Sequence, residues 1–304
     1  MQINNAANSA ALFMELNNEF QAAFNEVSPA STPLYKVRKS AARYENYSFL
    51  DHIVGFYKWE KYKDLIYRNV KQQEYVVENE RWGNGIQVDE DDIADNMVNN
   101  YKDQASAMGR VAKLLPDERI AELLEGAFTT CKTYDGQPWL GTHTILGTTI
   151  VNGVTDVFNS TSFQTAVQTM AGWKVKPDDF SKSRPLNAGS SLVLVHGPSL
   201  IGAVKDVLEV DLISGGASNK WKGFAQPLRF DYITDDSWYI LNVSGGIKPI
   251  VLQEREAVTF KSFSSSDSKE NFDNQSWTYG AKWRGTALPT AFWYAYGSTG
   301  TGAS

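Results

Sequence analysis

The chain is predicted to be α+β, and three observations carry that prediction. Ile93, Met97, Tyr101, Ala105, Met108, Ala112 and Leu115 recur every three or four residues, the spacing of one helix face. Short aromatic and alternating segments crowd the last third of the chain and read as strands. Helices and strands interleave without a regular βαβ repeat, which argues against a doubly wound sheet. With 304 residues and 42% hydrophobic content, the chain can build one large domain or two moderate ones.

Residues 1–27 place Leu12, Leu16, Phe20 and Phe24 at steps of four, so the chain opens with an amphipathic helix. Ser28-Pro29-Ala30-Ser31-Thr32-Pro33 then forbids its continuation, which makes the first section an arm. A short isolated helix is marginal in water. The four apolar side chains are therefore expected at a subunit interface, ordered when the stripe meets a neighbouring subunit. From Leu34 to Gln87 the pattern is extended. Leu34–Arg38 and Gln73–Val77 alternate, and Gly83-Asn84-Gly85 reads as a turn. Between them, IVGFYKWEKYKDLIYRNV is too polar for a core and too aromatic for a solvated loop. A two-stranded excursion meeting a neighbour would account for both, with Phe56, Trp59, Lys61 and Tyr62 as contact residues. A partly buried helix of the same domain fits the composition equally.

The central run is expected to be a spine helix from Asp91 to Leu115. Asp89 can cap it, and Glu90, Asp91 and Asp92 sit where the helix dipole favours negative charge. Pro116 should break the run and open a shorter helix with Ile120, Leu123, Leu124 and Phe128 inward. Tyr134–Pro138 is a turn, and Ile145–Phe158 reads as irregular extended chain. Thr161 with Gln164 suggests a capping box for a helix carrying Phe163, Val167, Met170 and Trp173. Then come a strand at Ser191–Val195, a proline-initiated helix at Pro198–Glu209, and strands at Leu228–Ile233, Trp238–Val243 and Lys248–Glu256. SSSDSKENFDNQ is a polar loop, and SWTYGAKWRG and AFWYAY are closing aromatic strands.

Several chemistries lack the residues they need. The net charge of −6 argues against tight, sequence-blind nucleic-acid binding, which needs a basic face. A single cysteine, Cys131, allows no intrachain disulfide and points to a reducing compartment. The N-terminus lacks the pattern of a secretory signal, and no apolar run reaches the ~20 residues that span a bilayer. A soluble intracellular product is expected. His52, His143 and His196 have no partner at zinc-ligand spacing. Asp89, Asp91, Asp92 and Asp95 lack the glycine and closing Glu of a calcium loop. His196-Gly197-Pro198-Ser199 is no nucleophile elbow. No catalytic, cofactor or metal residue is assigned.

The residues do carry a resemblance. The order of arm, extended excursion and acidic-capped spine ending in Met108-Gly109-Arg110, followed by Pro116-Asp117-Glu118, resembles the Mu-like phage major head subunit (gpT-like). So do Tyr134-Asp135-Gly136-Gln137, the strand Lys248-Pro249-Ile250-Val251-Leu252-Gln253-Glu254-Arg255, and the ending Phe292-Trp293-Tyr294-Ala295-Tyr296-Gly297-Ser298. Gly141-Thr142-His143 departs from the pattern, where an Asp-His pair is expected, as does the Gly/Ser tail. The resemblance implies the HK-97-like major capsid fold. Residues 1–40 would be an N-terminal arm and 41–88 an extended loop. Residues 89–140 with 248–304 would form a peripheral domain on the spine, and 141–247 an axial domain. It also implies a non-enzymatic subunit forming hexamers and pentamers of an icosahedral shell around double-stranded DNA, with portal, scaffold and decoration proteins as partners. No membrane is involved. The shell would be assembled in the host bacterial cytoplasm and kept in the virion. Two alternatives stay open: a cytosolic thiol hydrolase using Cys131 and His143, and a nanocompartment shell protein of the same fold.

Overall fold

A computed structural model describes residues 5–50, 72–95, 97–176, 183–187, 191–212, 216–244, 247–263 and 275–302. In chain order its elements are α1 (Asn5–Glu26), β1 (Tyr35–Lys39), β2 (Tyr44–Leu50), β3 (Gln72–Glu78), β4 (Glu80–Asp89), α2 (Glu90–Ala94) and α3 (Asn99–Glu125). There follow β5 (Thr142–Ile145), β6 (Thr148–Val151), β7 (Gly153–Val154), α4 (Ser160–Gly172), β8 (Lys174–Val175), β9 (Arg184–Pro185) and β10 (Leu192–His196). The chain closes with α5 (Ile201–Leu208), β11 (Gln226–Arg229), β12 (Trp238–Asn242), β13 (Ile250–Ser262), β14 (Ser276–Pro289) and β15 (Ala295–Ser298). The α+β expectation holds.

Two sheets organise the molecule. The first is four-stranded in the order β1-β13-β14-β4, with β1 parallel to β13 and the other pairs antiparallel. The second is five-stranded in the order β11-β10-β12-β15-β7. Helices α4 and α5 pack on the second sheet around Phe163, Met170, Val204 and Trp238, which are nearly or wholly buried. The first sheet forms a smaller core with α1 and the first half of α3, through Leu16, Phe20, Met108, Phe260 and Tyr279. Spine α3 belongs to both cores: Ala105 and Met108 face the smaller one, and Ile120, Leu123 and Leu124 the larger one.

The spine departs from its expected limits at both ends. Asp89 does cap, accepting from the Asp91 backbone N–H, but the helix it starts, α2, ends at Ala94. Asp95 and Asn96 are weak helix formers, and the interruption buries Val98 while leaving Met97 65% exposed. Tyr101 of α3 ties back across the gap, donating its hydroxyl to Asp92 Oδ2 at 2.5 Å. At the other end Pro116 does not break the helix, which runs 27 residues, about 40 Å at roughly 1.5 Å per residue. A mid-helix proline removes one hydrogen bond at a cost of about 3 kcal/mol. Burial of Asp117, Ile120 and Leu124 immediately beyond it holds the helix through.

Three local readings are also corrected. Gly83-Asn84-Gly85 lies inside β4, opposite Lys282, Ala281 and Gly280 of β14. A Cβ on Gly83 would stand 3.0 Å from the Ala281 carbonyl oxygen, and one on Gly280 2.6 Å from the Asn84 carbonyl oxygen, so these two glycines serve close strand approach instead of a turn. The stretch from Thr142 to Val151 is the antiparallel hairpin β5–β6. The cap of α4 is Asn159 with Ser162, two residues before the expected pair, each side chain bonding the other's backbone N–H.

Candidate functional site: the assembly surfaces

The arm is fastened to its own chain. Leu16 and Phe20 are fully buried and Leu12 is 4% exposed, all against α3 and the first sheet, with Phe24 half-buried beside them. In the single chain these side chains already have a partner surface, on α3 and the first sheet. Gly109 makes the approach possible, because a Cβ there would stand 2.3 Å from the Phe20 carbonyl oxygen. Around the crossing, Lys102 pairs with Glu15 at 2.7 Å, Arg110 with Glu26 at 2.9 Å, and Lys113 Nζ lies 4.5 Å from the Phe24 ring centroid. Where the arm ends, the buried Asp117 carboxylate accepts from the Ala30 and Ser31 backbone N–H groups, each at 2.9 Å, and from the Ser31 hydroxyl. Met14 remains 67% exposed on the outer side of α1.

The root of the extended loop is a second built structure. Strands β2 and β3 pair antiparallel from Tyr44 opposite Glu78 to Leu50 opposite Gln72. Phe56, Trp59, Lys61 and Tyr62 lie outside the described residues, as does His52. A buried polar chain fixes the root to the first sheet. Tyr47 donates to Gln253 Oε1 at 2.7 Å, Gln253 donates to Asn79 Oδ1 at 2.8 Å, and Asn79 donates to Ser40 Oγ at 2.8 Å. Glu45 then accepts from the Ser40 hydroxyl and the Ala41 and Ala42 N–H groups, which hold its carboxyl below the usual range. Gln253 is fully buried although polar; the network satisfies it at both ends.

The residues weighed for chemistry are otherwise engaged. Burial pushes the Cys131 thiol up to about 12, the reverse of what a nucleophile needs. His143 is buried, with Nδ1 2.7 Å from Asp135 Oδ2, Nε2 3.2 Å from the Trp139 carbonyl oxygen, and its ring stacked on Phe292. His196 donates Nδ1–H to the Gly197 carbonyl at 2.8 Å, and burial lowers its pKa. Among the described residues no group of His, Cys, Asp and Glu is placed to hold a metal. Nor is any described helix long and apolar enough to cross a membrane. A concavity of about 540 Å³ beside the spine is lined by Glu118, Glu122, Glu125, Tyr232 and Asp235 among others. Arg119 closes its floor, its guanidinium 3.5 Å from the Trp82 ring centroid and 2.6 Å from Glu122.

The relatives of the chain show its family. Residues 9–156 and 230–301, which span the arm, the loop root, the spine and the closing strands, match the family model described as Mu-like prophage major head subunit gpT. The chain belongs to the Mu-like prophage major head subunit family. This head subunit is 22% identical over 283 residues to the Mu-like prophage FluMu major head subunit of Haemophilus influenzae, covering 93% of this chain and 70% of the relative. Its fold is that of the HK-97-like phage capsid proteins. It superposes on the procapsid of bacteriophage JBD30 with a TM-score of 0.56 at 19% identity, over 95% of this chain and 74% of that one. On the capsid of cyanophage P-SCSP1u the TM-score is 0.59 at 10% identity, over 88% and 86%. The protein is a major capsid protein of the phage-head type, and the thiol-hydrolase alternative is not favoured.

Proposed function

We propose that copies of this head subunit associate as hexamers and pentamers and close into an icosahedral shell around double-stranded DNA. The observation that carries the reading is the family match over both ends of the chain, joined by a spine that meets the arm and takes part in both cores. Head-to-tail contacts close rings when the rotation allows, which suits a subunit with one long rigid member and lateral extensions. In this scheme residues 1–40 are the arm, 41–88 the extended loop, 89–140 with 248–304 the peripheral domain, and 141–247 the axial domain. Strand β15, of the proposed peripheral part, pairs with β12 and β7 of the proposed axial part, so one sheet links the two. Phe56, Trp59, Lys61 and Tyr62 are proposed as loop contacts with a neighbour, and the outer face of α1 as the arm's contribution.

The acidic balance suits a container that holds DNA without gripping it. Portal, scaffold and decoration proteins are proposed partners, with assembly in the host bacterial cytoplasm and a final place in the virion. No catalytic role is proposed. Sedimentation of the purified protein tests the reading. Particles far larger than the 33.9 kDa monomer are expected, unaffected by Cys131→Ser. Only small soluble species, or an activity lost with Cys131→Ser, would overturn it.

A further inference from the structure

The β5–β6 hairpin has an unusual surface. From Gly136 to Thr155 the sequence contains no Asp, Glu, Lys or Arg, in a chain where 21% of residues are charged. The hairpin register places Thr142 opposite Val151 and Thr144 opposite Thr149, and all four are exposed. They form one flat, β-branched, uncharged face. Its inward residues His143, Ile145 and Ile150 are buried.

The tip adds a second observation. Leu146 and Gly147 make the two-residue connection with φ of +48° and +74°. Hairpins with this left-handed pair favour Asn-Gly, and a leucine there is disfavoured by its own backbone. It is also 36% exposed, and Val151 at the base of the same hairpin is 46% exposed. Such strain persists where the surroundings over-determine it.

The base supplies that rigidity. Buried Asn152 donates to the carbonyls of Trp139 and Phe292, each at 2.9 Å, and of Ala295 at 3.2 Å, and accepts from the Gly141 N–H at 2.8 Å. The His143–Asp135 contact at 2.7 Å fastens the neighbouring strand. A mount of this kind presents its face with little ordering left to lose on binding.

We propose that this hairpin is a contact element between copies of the chain, its Thr142, Thr144, Leu146, Thr149 and Val151 side chains docking on an uncharged patch of a second subunit. The absence of charge matches the depletion of charged residues at interface cores. A second copy is the occupant because the chain is a capsid subunit, whose principal neighbour is itself; in this the inference rests on the shell reading above. Two variants test it. Thr149→Lys leaves the protomer's core untouched, yet places a charge in the contact, and should cut particle yield by about tenfold or more. Leu146→Asn suits the left-handed backbone, so it should raise the protomer's melting temperature by about 2 °C while also lowering particle yield. Wild-type yield from both variants overturns the contact. A lowered melting temperature for Leu146→Asn would make Leu146 part of the protomer's own packing and overturn it as well. Failure of the unmodified protein to form any particle would instead overturn the shell reading, and this one with it.

Discussion

Gly109 shows how a single residue can set the position of an element. Glycine inside a helix costs about 1 kcal/mol relative to alanine, so on propensity alone Gly109→Ala would stabilise α3. The Phe20 carbonyl oxygen 2.3 Å from the missing Cβ reverses that sign, because backbone on both helices must move. Gly109→Ala is expected to destabilise the subunit by about 1–3 kcal/mol in urea unfolding, with faster hydrogen exchange in α1. Asp135 gives a pH dependence. Burial pushes its carboxyl up, but hydrogen bonds from His143, the Thr133 hydroxyl and the Gln137 N–H outweigh it, and the net pKa is lowered. A carboxyl lowered on folding contributes stability above its unfolded pKa and loses it as pH falls through the folded value. Asp135→Asn should therefore flatten the acid limb of a stability-versus-pH curve below about pH 4. An unchanged limb would show that Asp135 is not linked to folding.

Among the elements, the arm is where sequence and structure part most clearly. The stripe of Leu12, Leu16, Phe20 and Phe24 was legible from its four-residue spacing. Its partner was not, because periodicity says which side is apolar and nothing about what covers it. Burying Leu12, Leu16 and Phe20 contributes roughly 1.5–3 kcal/mol each, and the Asp117 clamp and two ion pairs hold the helix on its own spine. Deleting residues 1–27 is accordingly expected to strip Met108, Phe260 and Tyr279 of cover and lower the protomer's urea midpoint or its solubility. A truncated protomer with an unchanged midpoint would return the arm to a free appendage. The spine was legible in type and wrong in extent: burial of Asp117, Ile120 and Leu124 carries the helix past Pro116, and the gap before Asn99 turns Val98 inward. Strand β3 of the loop root was legible in the alternation of Gln73–Val77, but its polar network was not, since Tyr47, Asn79 and Gln253 meet only through strand pairing. Gln253→Leu removes the acceptor of the Tyr47 hydroxyl and the donor to Asn79 Oδ1, at about 1–3 kcal/mol for each lost bond, and should speed hydrogen exchange across β2 and β3. Unchanged exchange there would mean the network does not hold the loop.

At the scale of the molecule, the α+β class followed from element patterns, and the family from several short motifs in order. Hairpin β5–β6 escaped because its turn uses Leu-Gly where Asn-Gly would have announced it. Local patterns did not give the two-core division, which the resemblance alone suggested: β15 reaches back to pair with β12, a contact of long sequence separation that no local pattern encodes. Chemistry was legible mainly by what it lacked, and the structure adds that Cys131 and His143 are held in roles that packing accounts for. The central claim is that this subunit builds a closed shell from copies of itself, with each arm folded on its own spine. Electron cryomicroscopy of the purified, assembled protein tests it most directly. Closed particles are expected, with α1 packed on α3 of the same subunit. Discrete small oligomers, or particles in which α1 crosses to a neighbour's spine, would contradict it.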